Sequence, residues 1–301
     1  VKVFLAALAL LPLVAGAQTA GEIMASVAKN QSRAEAARAS YIYQQNVLVR
    51  MKRGDGKLAR EEDREYIVTP EPGGLKREMT HFAGKYGVNG KEYAVSEPGE
   101  HYRDKDIDAN VVKNLADSFG NDEKSRDGLN RDLFPLAEDK QHNYVFKLTG
   151  TENYRGHEVF RVTFEPGKRP KETHQKREQQ KSENDFVLWA GEALIDKADL
   201  TPVLITTHLA KSVPILVKTL LGTNIEQIGF KVSYEKFEDG LWFPVTYGGE
   251  FKLRILFAYS RTISLNLENS DFRKANINST VTYDQSIPVP GPQLTGTPDR
   301  Q

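Results

Sequence analysis

FKLRILF, residues Phe251 to Phe257, is the stretch that decides the fold. Phe251, Leu253, Ile255 and Phe257 point one way and Lys252 and Arg254 the other, the period of two that a half-buried strand needs. The same period holds upstream in Ile228, Phe230, Val232 and Tyr234, and downstream in Ile263, Leu265 and Leu267. Two short breaks, Glu238-Asp239-Gly240 and Ala258 to Arg261, divide the series, and the Asp-Gly pair of the first favours a tight hairpin. The whole run from Asp185 to Asp271 therefore reads as an antiparallel meander with one apolar face. Such a face has to be covered, by protein or by a bound lipid.

Far upstream, Lys2 supplies a positive charge, Phe4 to Val14 an apolar run, and Ala15-Gly16-Ala17 a small-x-small site. Together they have the form of a secretory signal cleaved before Gln18, and the run is short of the roughly twenty residues that span a bilayer. An exported, soluble chain of about 280 residues is expected, long enough to bury a core without staples. No cysteine is present, which excludes a disulfide, a thiolate metal site and acylation of a lipoprotein-type cysteine. Loss of Lys2 from 41 basic residues leaves 40 Lys+Arg against 41 Asp+Glu, a balance unlike the basic surface that nucleic acid selects. No other apolar run reaches membrane-spanning length, so an integral membrane protein is not expected.

Between these ends the periodicity switches several times. Glu22 to Ala39, with Ile23, Met24 and Val27 at helical spacing, predicts an amphipathic helix. Tyr41 to Met51 and Leu58 to Val68 predict a hairpin about Arg53-Gly54-Asp55-Gly56, with Tyr43, Val47 and Val49 on one face. Arg60, Glu61, Glu62, Asp63, Arg64 and Glu65 on its second strand read as a solvated face with cross-strand ion pairs. A third strand follows over Leu75 to Phe82, then a glycine-rich turn, Gly84 to Gly90, then Glu92 to Val95. Ile107, Val111, Leu115 and Phe119 recur every four residues, with Asp106 or Asp108 as cap and Gly120 as stop, which predicts a helix. A second helical piece with Leu129, Leu133 and Phe134 completes an insertion that can lie across an open sheet. Tyr144 to Leu148 and Glu158 to Phe164 form another hairpin, joined through Thr149 to Gly156.

The expected organisation is one domain over residues 18–285. The charged segment of residues 166–184 reads as a mobile loop and the Pro-rich residues 286–301 as a disordered tail. Val213 to Gly222, VPILVKTLLG, falls between two strands where a polar turn is expected. It suits either a buried helical turn or an apolar lip over a ligand cleft, with Leu216 and Leu220 as its contact residues.

Motifs for covalent chemistry fail on spacing. GKYGVNGK, Gly84 to Lys91, has five residues between its outer glycines where a phosphate loop has four, and Glu92 stands where a Ser or Thr would hold magnesium. Asp104, Asp106 and Asp108 mimic the start of a calcium loop, but Ala109 and Leu115 occupy its sixth and twelfth positions. The histidines form no pair at ligand spacing, and neither HExxH nor GxSxG occurs. The residues therefore point to a non-catalytic binding protein without cofactor or metal. Phe186, Leu188, Trp189, Trp242, Phe243, Phe251 and Phe257 are the aromatic and apolar candidates to line a site, although stripes of this kind ordinarily form core.

WAGEALIDKADLTP (Trp189 to Pro202), DGLWFPVTY (Asp239 to Tyr247) and Asp271-Phe272-Arg273 resemble the exported outer-membrane lipoprotein-sorting proteins, LolA-like in fold. The likeness covers most of the chain in order of elements. It implies a mainly β (α+β) protein whose strongly curved antiparallel sheet forms an open half-barrel, with helices packed in its concave face. It further implies a periplasmic carrier that holds the acyl chain of a lipid or lipoprotein and delivers it to an envelope or outer-membrane acceptor protein. The alternative is an envelope sensor or protein-interaction module like the LolA-like domain of sigma-factor regulators. The expected cavity lining is Trp189, Leu216, Leu220, Trp242, Phe251 and Phe257. No cargo-binding residue of the family matches a position in this chain.

Overall fold

The structure is a computed structural model that describes residues 18–71, 74–119, 137–167, 189–210, 223–237, 239–255 and 259–275. Thr19 opens α1 (Ala20–Arg38) with a capping box, its hydroxyl accepting from Glu22 N while the Glu22 side chain bonds Thr19 N. The chain then runs through β1 (Tyr41–Arg53), β2 (Leu58–Glu71), β3 (Gly74–Val88), β4 (Lys91–Val95), α2 (Ile107–Phe119) and α3 (Glu138–Gln141). β5 (Tyr144–Tyr154), β6 (His157–Pro166), β7 (Trp189–Asp196), β8 (Pro202–Leu209), β9 (Thr223–Lys236), β10 (Trp242–Ile255) and β11 (Tyr259–Lys274) follow. Among the described residues no helix is long and apolar enough to cross a membrane.

All eleven strands form one antiparallel sheet in the order β4-β3-β2-β1-β11-β10-β9-β8-β7-β6-β5. Two meanders, β1 to β4 and β5 to β11, are joined by the pairing of β1 with β11. The sheet is open, with β4 and β5 at its edges. Residues 96–143 must therefore connect one edge to the other, and eleven strands leave ten spacings of about 4.8 Å each to traverse. This long crossing is why the helices within it lie over one face.

One row of paired residues traces that face from edge to edge: Val95, Gly84, Glu62, Val49, Leu265, Gly249, Phe230, Thr207, Gly191, Phe164 and Phe146. Cross-strand partners share a face, so this is the interior row. Its glycines mark close approach of the backbone. A Cβ on Gly249 would lie 2.0 Å from the Gly229 carbonyl oxygen and 3.1 Å from the Phe230 ring, and one on Gly191 2.0 Å from the Thr206 oxygen and 2.9 Å from the Phe164 ring. Together with register shifts in β1, β2, β5, β8 and β10 pairings, they let the sheet coil into the half-barrel.

The meander predicted over Asp185 to Asp271 is present as β7 to β11. Phe251 and Leu253 are buried and Lys252 and Arg254 exposed, as the period of two requires. Four details differ from the sequence reading. β3 continues through Gly84 to Val88, and the turn is only Asn89-Gly90, both left-handed, because pairing with β4 overrides the low strand preference of glycine. β5 likewise extends to Tyr154 and turns at Arg155-Gly156, its ladder surviving a register shift at Leu148/Gly150. β11 begins at Tyr259, so the turn predicted up to Arg261 is shorter. In α2 the fully buried stripe is Ala109, Val112 and Ala116, while Ile107 is 47% exposed. The helix is rolled toward its small residues because ion pairs on Asp106, Asp108 and Asp117 hold it to the sheet. The signal segment, the loop of residues 166–184 apart from Pro166 and Gly167, the VPILVKTLLG segment apart from the described backbone after it, the Leu129 to Phe134 piece and the Pro-rich tail lie outside the described residues.

Candidate functional site

Inside the half-barrel, β7 to β11 form a continuous apolar floor. Trp189 meets Phe230 edge to face at 5.3 Å between centroids, and Phe230 meets Tyr247 at 5.8 Å. Phe251 pairs with Ile263, and Leu265 completes the row above Val49. Ile263, Val232 and Val49 have no exposure at all, whereas Phe230 and Phe251 keep 9% and Leu253 6%. Cover is thus thinnest over β9 and β10. α1 packs against β5 and α3 and is bonded to the β7–β8 turn and to β10, while α2 packs against β1 and β2 and is bonded from β11.

Of the residues proposed from sequence, Trp189, Trp242 and Phe251 belong to one buried cluster with Ile23, Met24 and Val27 of α1 and Val112 and Ala116 of α2. Leu216, Leu220 and Phe257 lie outside the described residues. Trp242 stands apart from the floor. Its ring tilts against His157 at 5.1 Å, and its Nε1 donates to Asp199 Oδ2 at 2.8 Å.

The IDKADLTP segment explains that placement. Asp196 Oδ1 accepts from the Ala198 and Asp199 backbone N–H groups, and its Oδ2 bonds His157 Nδ1 at 3.1 Å, which fixes the tight turn between β7 and β8. The turn then presents the Asp199 and Leu200 carbonyls to Asn30 Nδ2 of α1. Arg38, at the other end of α1, donates to the Trp242 carbonyl at 2.9 Å. The motif is a seat for α1 and Trp242.

Asp199 also accepts from Lys236 Nζ at 2.6 Å. Burial pushes its carboxyl up, but the bonds from Lys236 and Trp242 outweigh that and hold it below the ordinary 3.8. An aspartate whose pKa is lower folded than unfolded contributes stability that is complete above the unfolded value and is lost as pH falls through the folded one. Thermal unfolding followed from about pH 5 down to about pH 3 is therefore expected to decline less steeply in Asp199→Asn than in the native chain. Parallel declines would rule this carboxylate out as a contributor.

The charges of β2 contradict the reading as a uniformly solvated face. Arg60, Glu62 and Arg64 alternate onto the interior and are buried. Glu61 is only lightly exposed and Glu65 exposed, both on the opposite face. Glu62 accepts from Arg60 Nε at 2.8 Å and Arg64 Nε at 3.2 Å, and Gly99 N bonds the same carboxylate. Arg60 continues to the Glu100 carbonyl at 2.9 Å and to Asp106 at 3.6 Å, while Arg64 reaches Asp117 at 2.7 Å. From β11, Arg261 holds Asp108 in a bidentate pair at 2.9 Å for both bonds, and the Tyr259 hydroxyl bonds Asp108 too. These ion pairs clasp α2 to the sheet. The signal was legible in the hairpin register, since Arg60, Glu62 and Arg64 are even positions opposite Met51, Val49 and Val47. Asp106 also caps α2 by accepting from Ala109 N at 3.2 Å, so two of the three aspartates that mimic a calcium loop, Asp106 and Asp108, are engaged with a helix end and with guanidinium groups.

No family model matches the chain, and no curated protein does. Among solved structures it is similar to a LolA superfamily protein from Nitrosomonas europaea, 11% identical, covering 87% of this chain and 96% of that one at a TM-score of 0.29. A DUF1329 family protein from Desulfovibrio piger is 14% identical over 86% of this chain and 95% of its own, also at 0.29. An outer membrane lipoprotein-sorting protein domain from Vibrio parahaemolyticus is 11% identical over 83% and 92%, at 0.28. In the plan of its open antiparallel sheet, the chain resembles the LolA-like half-barrels.

Proposed function

We propose that the chain is a periplasmic binding protein that holds the acyl chain of a lipid or lipoprotein against the interior floor, as a carrier and without covalent chemistry. The observation that supports this most is the floor itself: Trp189, Phe230, Tyr247, Phe251 and Leu265 make one apolar surface between the sheet and the helices, and among its described residues Phe230 and Phe251, on β9 and β10, keep the most exposure. An acyl chain gains about 0.8 kcal/mol per buried methylene on such a surface and needs no reactive group there. Phe251 and Trp189 are assigned to the wall of the site and Trp242 to its rim.

Native mass spectrometry of protein purified from the periplasm, followed by organic extraction, tests this. A co-purifying acyl species removed by extraction is the expected result. A clean ligand-free mass, with no uptake of added phospholipid or acyl peptide, would overturn the carrier reading. Capture of a stable envelope protein by that ligand-free form would point instead to the sensor or interaction module.

A further inference from the structure

Arg77 is out of keeping with the other interior cations. It lies on β3 opposite Val68, which is opposite Tyr43, so its side chain belongs to the interior face. The residue is half-buried, yet its Nε and Nη2 are buried and have no hydrogen-bond partner among the described residues. Arg38, Arg60, Arg64 and Arg261 each donate to a carboxylate or a carbonyl.

The guanidinium carbon of Arg77 sits 4.0 Å from the centroid of the Tyr66 ring. Stacking of this kind occupies the face of the group, whereas all of its N–H donors lie in the plane and project from the edge. Tyr66 therefore orients the donors without satisfying them. Asp117 is the carboxylate whose field reaches Arg77, but its two oxygens already take Arg64 Nη1 at 2.7 Å and Lys113 Nζ at 2.6 Å. Burial lowers the basicity of Arg77, yet arginine does not deprotonate in proteins, so the charge stays. A stacked guanidinium with buried, unfilled edge donors has the geometry that receives a planar or tetrahedral oxyanion.

We propose that Arg77 is the headgroup anchor of the interior face, binding the carboxylate or phosphate of an amphiphile whose chain runs over the apolar floor. This rests on the reading that the interior holds an acyl chain, and it narrows the ligand to an oxyanion-headed lipid.

Calorimetric titration of the full chain, delipidated, with dodecanoate, dodecyl phosphate and the neutral 1-dodecylglycerol tests it, with acetate and inorganic phosphate as chainless controls. The native protein is expected to bind the two charged amphiphiles about tenfold or more tighter than the neutral one. Arg77→Gln should bring them down to the neutral level, and Arg77→Lys should recover part of the difference. A tighter dodecanoate or a tighter dodecyl phosphate identifies which oxyanion the site prefers, and either supports the anchor. Because the anchor is unpaired when empty, ligand-free Arg77→Gln is expected to unfold at or above the native midpoint. A lower midpoint would mark Arg77 as a structural group and overturn the proposal. Equal affinity of the native protein for neutral and charged amphiphiles would overturn the anchor and leave the acyl reading standing. Binding of none of the three amphiphiles would overturn both. Inorganic phosphate bound as tightly as dodecyl phosphate, and lost in Arg77→Gln, would make the site one for free oxyanions and overturn its role as a lipid anchor.

Discussion

Replacing Glu62 by alanine is expected to lower the unfolding free energy by about 3–5 kcal/mol. The side chains of Arg60 and Glu62 have no exposure and that of Arg64 has 2%. Glu62 lies between the two guanidiniums, so its removal leaves like charges facing each other out of water with one shared acceptor gone. Arg60 retains the Glu100 carbonyl and a longer contact to Asp106, and Arg64 retains Asp117, which keeps the loss finite. Urea denaturation checks this through a lower midpoint at unchanged m-value. Glu62→Gln keeps part of the hydrogen bonding and should fall between the two. The combined change Arg60→Met, Glu62→Leu, Arg64→Met and Asp106→Asn should lose far less than Glu62→Ala, because it removes the desolvation cost together with the buried charges and keeps a side-chain cap for α2. A Glu62→Ala protein within about 0.5 kcal/mol of the native one would show that water reaches the clasp. Since Asp106 and Asp117 bracket α2, amide exchange in α2 should rise first in this variant.

Trp189→Ala should cost a similar amount, about 3–5 kcal/mol, through lost burial and the cavity left behind. Trp189 is 4% exposed and packs edge-on to Phe230. Trp189→Phe keeps an aromatic edge for Phe230 and should recover more than half of the loss. The same residue reports on ligand. The chain has two tryptophans, and Trp242 is tethered through Nε1 to Asp199. In Trp242→Phe the emission comes from Trp189 alone, and uptake of an acyl chain on the floor is expected to change its intensity and wavelength. In Trp189→Phe, which leaves Trp242, the same titration should change little. If both variants respond alike, the chain does not lie against Trp189.

Local patterns carried much of this architecture into view. Ile23, Met24 and Val27 at helical spacing announce α1, Asp106 with the apolar spacing after it announces α2, and the alternation from Phe230 to Leu267 announces β9 to β11. The site was less legible. Trp189 and Phe251 could be named as apolar candidates, but that Trp189 meets Phe230 and Trp242 meets Asp199 follows from pairing across strands. Arg77 carries no sequence signal, because a lysine-arginine step on a polar strand is ordinarily solvated.

By itself, the sequence determined what depends on near neighbours: periods of two and of 3.6, the aspartate cap of α2, and the turn at Asp239-Gly240. Only the tertiary structure decided that β1 pairs with β11, that β4 and β5 become the open edges, and that Arg60 and Arg64 meet Asp106 and Asp117 of the α2 region. The physical reason is the range of the forces involved. Backbone torsions and side-chain alternation are set within a few residues, whereas a buried charge is stable only if its counter-charge arrives in space. For Arg64 that counter-charge includes Asp117, brought by a helix more than one strand hairpin further along the chain.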